Sequence, residues 1–227
     1  MRWTPRYFRP PNYDPMILKA SLLATAAALA ITAHDPLTEL VIGAPMPAAD
    51  KAMKNVMGGD KSLSAIKGEN GLLVVFSCNT CPFVVGSEGS AGWEGRYPEI
   101  GAFCQKNKVG FALVNSNSAK RDAGDSFADM QAHYKEKGYN THYLLDEDNV
   151  VADAFAARTT PHVFLFNKDL KLVYKGAIDD NVDDPKAVTK HYLTDAINSL
   201  VAGKAIDPAT TKNLGCSIKR KPVEHTH

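Results

Sequence analysis

Several things are scarce in this chain of 227 residues, and each scarcity excludes something. There are four cysteines, Cys78, Cys81, Cys104 and Cys216, too few for a domain of this size to be held together by disulfides. No excess of either charge exists: 26 basic residues stand against 25 acidic ones, for a net charge of +1. Lysines and arginines are scattered among acids, so no basic face for nucleic acid is expected. The longest apolar stretch, Ala20 to Ala33, runs for about 14 residues, short of the ~20 needed to cross a bilayer as a helix. Internal repeats and low-complexity tracts are missing. So is a second pair of closely spaced cysteines, which a structural zinc site commonly uses. What remains is ordinary globular composition, 44% hydrophobic and 22% charged, long enough for one domain with a core and extensions.

The stretch that carries chemistry is Gly71-Leu72-Leu73-Val74-Val75-Phe76-Ser77-Cys78-Asn79-Thr80-Cys81-Pro82. Its apolar run reads as a buried strand, and Pro82 is suited to the first turn of a helix. Cys-x-x-Cys is thereby delivered from a strand onto a helix N-terminus. Unpaired N–H groups and the helix dipole there favour a thiolate, and the spacing predicts that the first cysteine gains the lowered pKa. The strand before Cys78 carries no carboxylate, so a general base is not identified.

Taken in order, Met16 to Ala33 has a basic residue, a short apolar run and small residues at its end, the pattern of a secretory signal peptide. Residues 1–15, with Arg2, Arg6 and Arg9 among four prolines, read as an upstream extension, and Met16 as the true start. Residues 34–205 are expected to form the domain and 206–227 a polar tail. Residues 34–59 read as a lead-in with turns. After the cysteines, Gly86 to Gly92 should interrupt the helix, which resumes from Arg96 to Lys106. Val109–Asn115 is a second buried strand. A helix from Asp125–Ser126 to about Lys137 stops at Gly138. Tyr143–Leu145 is a short strand and Asn149–Phe155 a short helix. Residues 162–166 and 172–176 form a hairpin, and a last helix runs from Asp183 to about Ala202. A parallel pair joined by a helix, followed by an antiparallel hairpin, implies an α/β architecture with a central mixed sheet flanked by helices.

That order with that motif resembles the thioredoxin fold. Thr159-Thr160-Pro161 looks like the cis-proline loop that faces the dithiol in that superfamily. Residues 172–181 and Gly215-Cys216-Ser217-Ile218-Lys219 resemble a peroxiredoxin-like branch of bacterial redoxins, within the alkyl hydroperoxide reductase/thiol-specific antioxidant superfamily. The resemblance spans roughly residues 40–220. It implies catalytic Cys78 and Cys81, Cys78 as the exposed nucleophile and Cys81 as the buried resolving partner. It also implies a substrate-facing Thr160-Pro161 loop. Arg158 is a candidate for stabilising the thiolate, and Cys216 for a resolving or relay cysteine. Cys104 and His162 read as structural, and Glu88 as solvated. The peroxidases of this superfamily carry Thr-x-x-Cys; here Cys78 stands in the threonine's place, which favours dithiol exchange. The expected function is an exported, periplasmic thiol–disulfide oxidoreductase acting on a protein or small-molecule disulfide and recharged by an unnamed reductant or oxidant. The alternatives are a thiol peroxidase acting on peroxide and a non-catalytic metal-binding chaperone. Neither a metal nor an organic cofactor is implied.

Overall fold

The structure, a computed structural model, describes residues 1–3 and 39–222; the signal-peptide reading of 16–33 and most of the extension lie outside the described residues. The sheet is built on β3 (Gly71–Ser77), whose seven residues are all buried. Parallel to it lies β4 (Val109–Asn115), and antiparallel on its other side lies β7 (His162–Asn167). β5 (His142–Leu145) extends the parallel side, and β8 (Leu172–Gly176) closes the other through the expected hairpin. Two short strands, β1 (Met53–Asn55) and β2 (Asp60–Lys61), add an antiparallel edge, giving the order β2-β1-β5-β4-β3-β7-β8.

The near-continuous apolar run of β3 follows from its position: both faces of the sheet are covered, so neither set of alternating side chains meets water. On one face Leu73, Val75, Leu113, Val163 and Leu165 pack in a cluster with residues of α3 (Tyr97–Lys106), α4 (Phe127–Glu136) and α6 (Tyr192–Val201). On the other, Leu72, Val74, Phe76, Phe164 and Phe166 pack with α1 (Leu63–Ile66) and α5 (Val150–Ala154). Phe76, Phe155 and Phe164 meet edge to face at 5.3–5.8 Å, the offset geometry that aromatic quadrupoles prefer.

The first helix is interrupted as its glycines predict. α2 (Pro82–Val85) is one turn and ends at Gly86, whose φ of 87° is left-handed. A Cβ there would meet the carbonyls of Ser90 and Ala91 at 2.8 Å, so only glycine lets the chain double back here.

Two expectations need correction. The lead-in contains β1, with β2 directly after it, both too short to show alternation. The last helix begins at Tyr192, not Asp183; Pro185–Ala187 is an isolated 3₁₀ turn capped by Asp184. It stops because Val188 is extended and Asp180 accepts from both the backbone and hydroxyl of Thr189. The polar tail after residue 205 docks on the domain as far as it is described. Thr211 and Ala209 bond Lys175, and β9 (Cys216–Ser217) pairs antiparallel with β6 (Thr159–Thr160).

Candidate active site

Pro82 occupies the first turn of α2, which makes Cys81 its N-cap and leaves Cys78 at the end of the β3 strand. Both sulfurs are enclosed: Cys78 is 0% exposed and Cys81 4%. The Thr160–Pro161 peptide is cis, and Thr160 lies against the pair. The Cys78 thiol lies 3.3 Å from Thr160 Oγ1, and the Cys81 sulfur lies 3.0 Å from the Thr160 carbonyl oxygen, to which it donates when protonated.

The two thiols are pushed in opposite directions. Cys81 is lowered to about 5, chiefly by the hydrogen bond it receives from Cys78, against the cost of burial, with help from Cys216 and Thr160. Cys78 is raised well above its ordinary value, first because its proton is held by Cys81, then by burial and by the negative charge of Asp125. Two interacting acids that share a site separate in this way, with the proton favoured on Cys78 and the charge on Cys81. Cys78, expected as the exposed member of the pair, is the more deeply buried one.

Cys216 reaches this site through the β6–β9 pairing, which sets it opposite Thr160. Its sulfur packs with the cluster containing Cys78 and Cys81. Burial and the contact with Cys81 raise it to about 11. The tail can come so close because residue 215 is glycine: a Cβ there would lie 2.4 Å from the Thr160 carbonyl oxygen.

Sequence reasoning missed Asp125, which it read only as part of a helix start. Ser126 is the N-cap of α4, completed by a capping box with Asp129. Asp125 instead points under the cysteine loop and is fully buried. Its Oδ1 accepts from the Asn79 backbone N–H at 2.7 Å and from Asn115 at 2.8 Å; its Oδ2 accepts from Thr80 Oγ1 at 2.8 Å and from Asn117 at 3.2 Å. Asn79 is held further by Tyr143 and the Gly124 carbonyl. Arg121, which donates to Asn115 and to the Asp125 carbonyl, supplies the compensating charge. Both residues between the cysteines are thus fixed by one carboxylate 46 positions from Asn79. The only signal in the sequence is an acid among Asn115, Asn117 and Arg121 after a buried strand.

The other candidates are distributed elsewhere. Arg158 is exposed, and its charge acts on Glu39 and His162. His162 is buried against Phe164 and lowered to about 4, mainly by burial, so it is neutral and structural. Cys104 is buried in the core and pushed up to about 12 by desolvation. Glu88 is exposed. Among the described residues, no three His, Cys, Asp or Glu side chains are grouped so as to hold a metal ion.

Comparison with known proteins agrees with this architecture. No curated protein matches the chain. An uncharacterized conserved protein from Geobacillus kaustophilus is 32% identical, covering 80% of this chain and 93% of its own, with a TM-score of 0.72. A hypothetical protein from Sinorhizobium meliloti 1021 is 28% identical, covering 81% of this chain and 97% of its own, with a TM-score of 0.71. A thioredoxin-like protein solved in its oxidized form shares the fold at 19% identity and a TM-score of 0.51, over 70% of this chain and 96% of that one. The profile of the Redoxin family matches residues 42–191, from before β1 to just short of α6, and the chain belongs to that family, with a thioredoxin-like fold.

Proposed function

We propose that the protein is a thiol–disulfide oxidoreductase whose dithiol is Cys78–Cys81, with Cys81 as the nucleophile. The observation that carries this reading is the opposed pair of sulfurs: Cys81 lowered to about 5 and Cys78 raised, both against Thr160. At neutral pH such a pair holds one thiolate ready to attack and one thiol ready to resolve. The Cys81 thiolate attacks a sulfur of the substrate disulfide, and the first substrate thiolate leaves. Cys78 then gives up its proton and attacks Cys81 in the mixed disulfide. The second substrate thiolate departs, and two electrons have passed from the dithiol to the substrate. Thr160 and Pro161 form the surface against which the substrate lies, and Asp125 fixes the loop between the cysteines.

Thiol peroxidase is the second reading, favoured by one observation: the sulfur that is lowered is the one in the peroxidatic place of Thr-x-x-Cys. In that case the Cys81 thiolate takes oxygen from a peroxide to become a sulfenic acid, and Cys78 condenses with it, releasing water. Against it stands the position of Arg158, away from the thiolate. Residues 16–33 are read as a signal peptide and the mature protein as periplasmic, on the sequence pattern alone.

The deciding experiment compares the fully reduced protein with Cys78→Ser and Cys81→Ser in two assays, reduction of a model protein disulfide and consumption of hydrogen peroxide. Rapid disulfide reduction with peroxide consumption no faster than a free thiol supports the oxidoreductase. Peroxide consumption orders of magnitude faster, abolished by Cys81→Ser alone, replaces it with the peroxidase.

A further inference from the structure

The three sulfurs of the site are not equally accessible. Cys78 is 0% exposed and Cys81 4%, both enclosed behind β6 and β9, whereas Cys216 is the partly exposed one. Cys216 is set opposite Thr160, whose carbonyl oxygen is 3.0 Å from the Cys81 sulfur. Its place is fixed: β9 pairs with β6, and the chain around it is tied down by Asn213 on Thr159, Ile218 N–H on the Arg158 carbonyl and Arg220 on Asp153. An outside disulfide or thiol of protein size therefore meets the Cys216 sulfur before it meets the dithiol.

We propose that Cys216 is the outlet of the dithiol, forming a Cys81–Cys216 disulfide through which electrons pass between Cys78–Cys81 and a protein-sized partner bearing thiols. This deepens the oxidoreductase reading and rests on it. The chemistry balances with no further reagent. Starting from the Cys78–Cys81 disulfide, the Cys216 thiolate attacks the Cys81 sulfur; that disulfide breaks, Cys81–Cys216 forms, and Cys78 leaves and takes up the proton that Cys216 lost. A partner thiolate then attacks the accessible Cys216 sulfur. The Cys81–Cys216 bond breaks, Cys81 leaves as thiolate, and a mixed disulfide of the partner with Cys216 remains. A second partner thiolate attacks the partner's own sulfur and frees Cys216. The partner has lost two electrons, which now reside on Cys78 and Cys81. Cys81 is the sulfur best suited to leave, since a thiol of low pKa departs faster. The same steps reversed carry electrons outward.

The test maps disulfides and measures exchange on the whole chain. Cys78→Ser is oxidised with glutathione disulfide, alkylated and mapped by mass spectrometry. A Cys81–Cys216 linkage is expected; two free thiols, or only glutathione adducts on Cys81, overturn the proposal. Wild type, Cys216→Ser and Cys216→Ala, each checked for a native melting transition, are then oxidised and mixed with a reduced, unfolded model protein and with free glutathione. Cys216→Ser, which keeps a donor beside Cys81, should slow exchange with the protein about tenfold or more relative to its exchange with glutathione, and Cys216→Ala reports what loss of the donor adds to both. Equal rates with both substrates overturn the outlet. Failure of the wild type to form Cys78–Cys81 at all would instead sink the oxidoreductase reading, and the mapping distinguishes the two results.

Discussion

Cys78→Ala tests the division of labour between the two cysteines most directly. In the wild type Cys81 lies at about 5 against an ordinary value of 9.0, a preference for thiolate of about 5 kcal/mol. The largest contribution is the hydrogen bond from Cys78. A hydrogen bond to a charged group is worth about 1.5–3 kcal/mol, so removing that donor should raise the Cys81 midpoint by about one to two pH units. Cys78→Ser keeps a donor in the same place and should stay close to wild type. At pH 6 the wild-type sulfur is about nine-tenths ionised, and in Cys78→Ala about half to one-tenth, so alkylation by iodoacetamide should slow about two- to tenfold. The assay follows the Cys81 peptide by mass spectrometry across the pH range, which separates it from Cys216 and Cys104. If Cys78→Ala titrates with wild type near 5, the hydrogen bond is not the cause. If wild-type Cys81 titrates like a free cysteine, the thiolate assignment falls with it.

The same charge separation fixes how the reduction potential depends on pH. Cys81 has a depressed value in the reduced protein, so its stabilising contribution is complete above its ordinary value and is lost as pH falls through about 5. At pH 7 it should favour the reduced form by about 3 kcal/mol, raising the potential by about 60 mV over an unperturbed dithiol. The slope against pH should be about 30 mV per unit above pH 5 and about 59 mV below it; a single steep slope throughout would contradict a Cys81 thiolate. Asp125→Ala removes the buried acceptor for four donors. Urea unfolding should show a loss of about 3–5 kcal/mol, and a loss under ~1 kcal/mol would mean that the loop is held by other means. Gly215→Ala places a methyl 2.4 Å from the Thr160 carbonyl. It should detach β9, speeding both hydrogen exchange at the Ile218 amide, which bonds Arg158, and alkylation of Cys81; unchanged exchange would show that the tail tolerates the clash.

The parts of the molecule legible in the sequence are those whose cause is local. β3 announces itself because both its faces are buried. The hairpin of β7 and β8 is marked by Asn167, whose side chain accepts from the Asp169 and Lys171 amides. α2 stops where glycine must be left-handed. The misread start of α6 is also local, but two signals compete: Asp184 and Pro185 do start a turn, and Asp180 draws Thr189 out of helical reach before it propagates. Asp125 and Cys216 are of another kind. Each is set in the site by pairing across long stretches of chain, Asp125 with Asn79 and Cys216 with Thr160. Nothing in the residues beside them distinguishes an acid under a loop from an acid at a helix start, or a docked tail from a free one.

The proposed role of Cys81 as nucleophile has a basis the sequence could have supported. Proline is favoured at the first helical position, so Pro82 at that position makes its predecessor the cap. That predecessor is Cys81, which has no side-chain capping bond of its own. Cys78, three residues earlier, directly follows the strand and lies outside the helix. Yet the helix explains little of the lowered pKa, for α2 has only four residues and a macrodipole needs aligned turns to accumulate. The thiolate is held instead by discrete donors: Cys78 first, then Cys216 and Thr160. Two of those come from distant parts of the chain, brought together by the pairing of β6 with β9. The reactivity of Cys81 is therefore tied to the docking of the C-terminal strand. Loss of the Cys216 donor, as in Cys216→Ala, should therefore raise Cys81 toward an ordinary thiol.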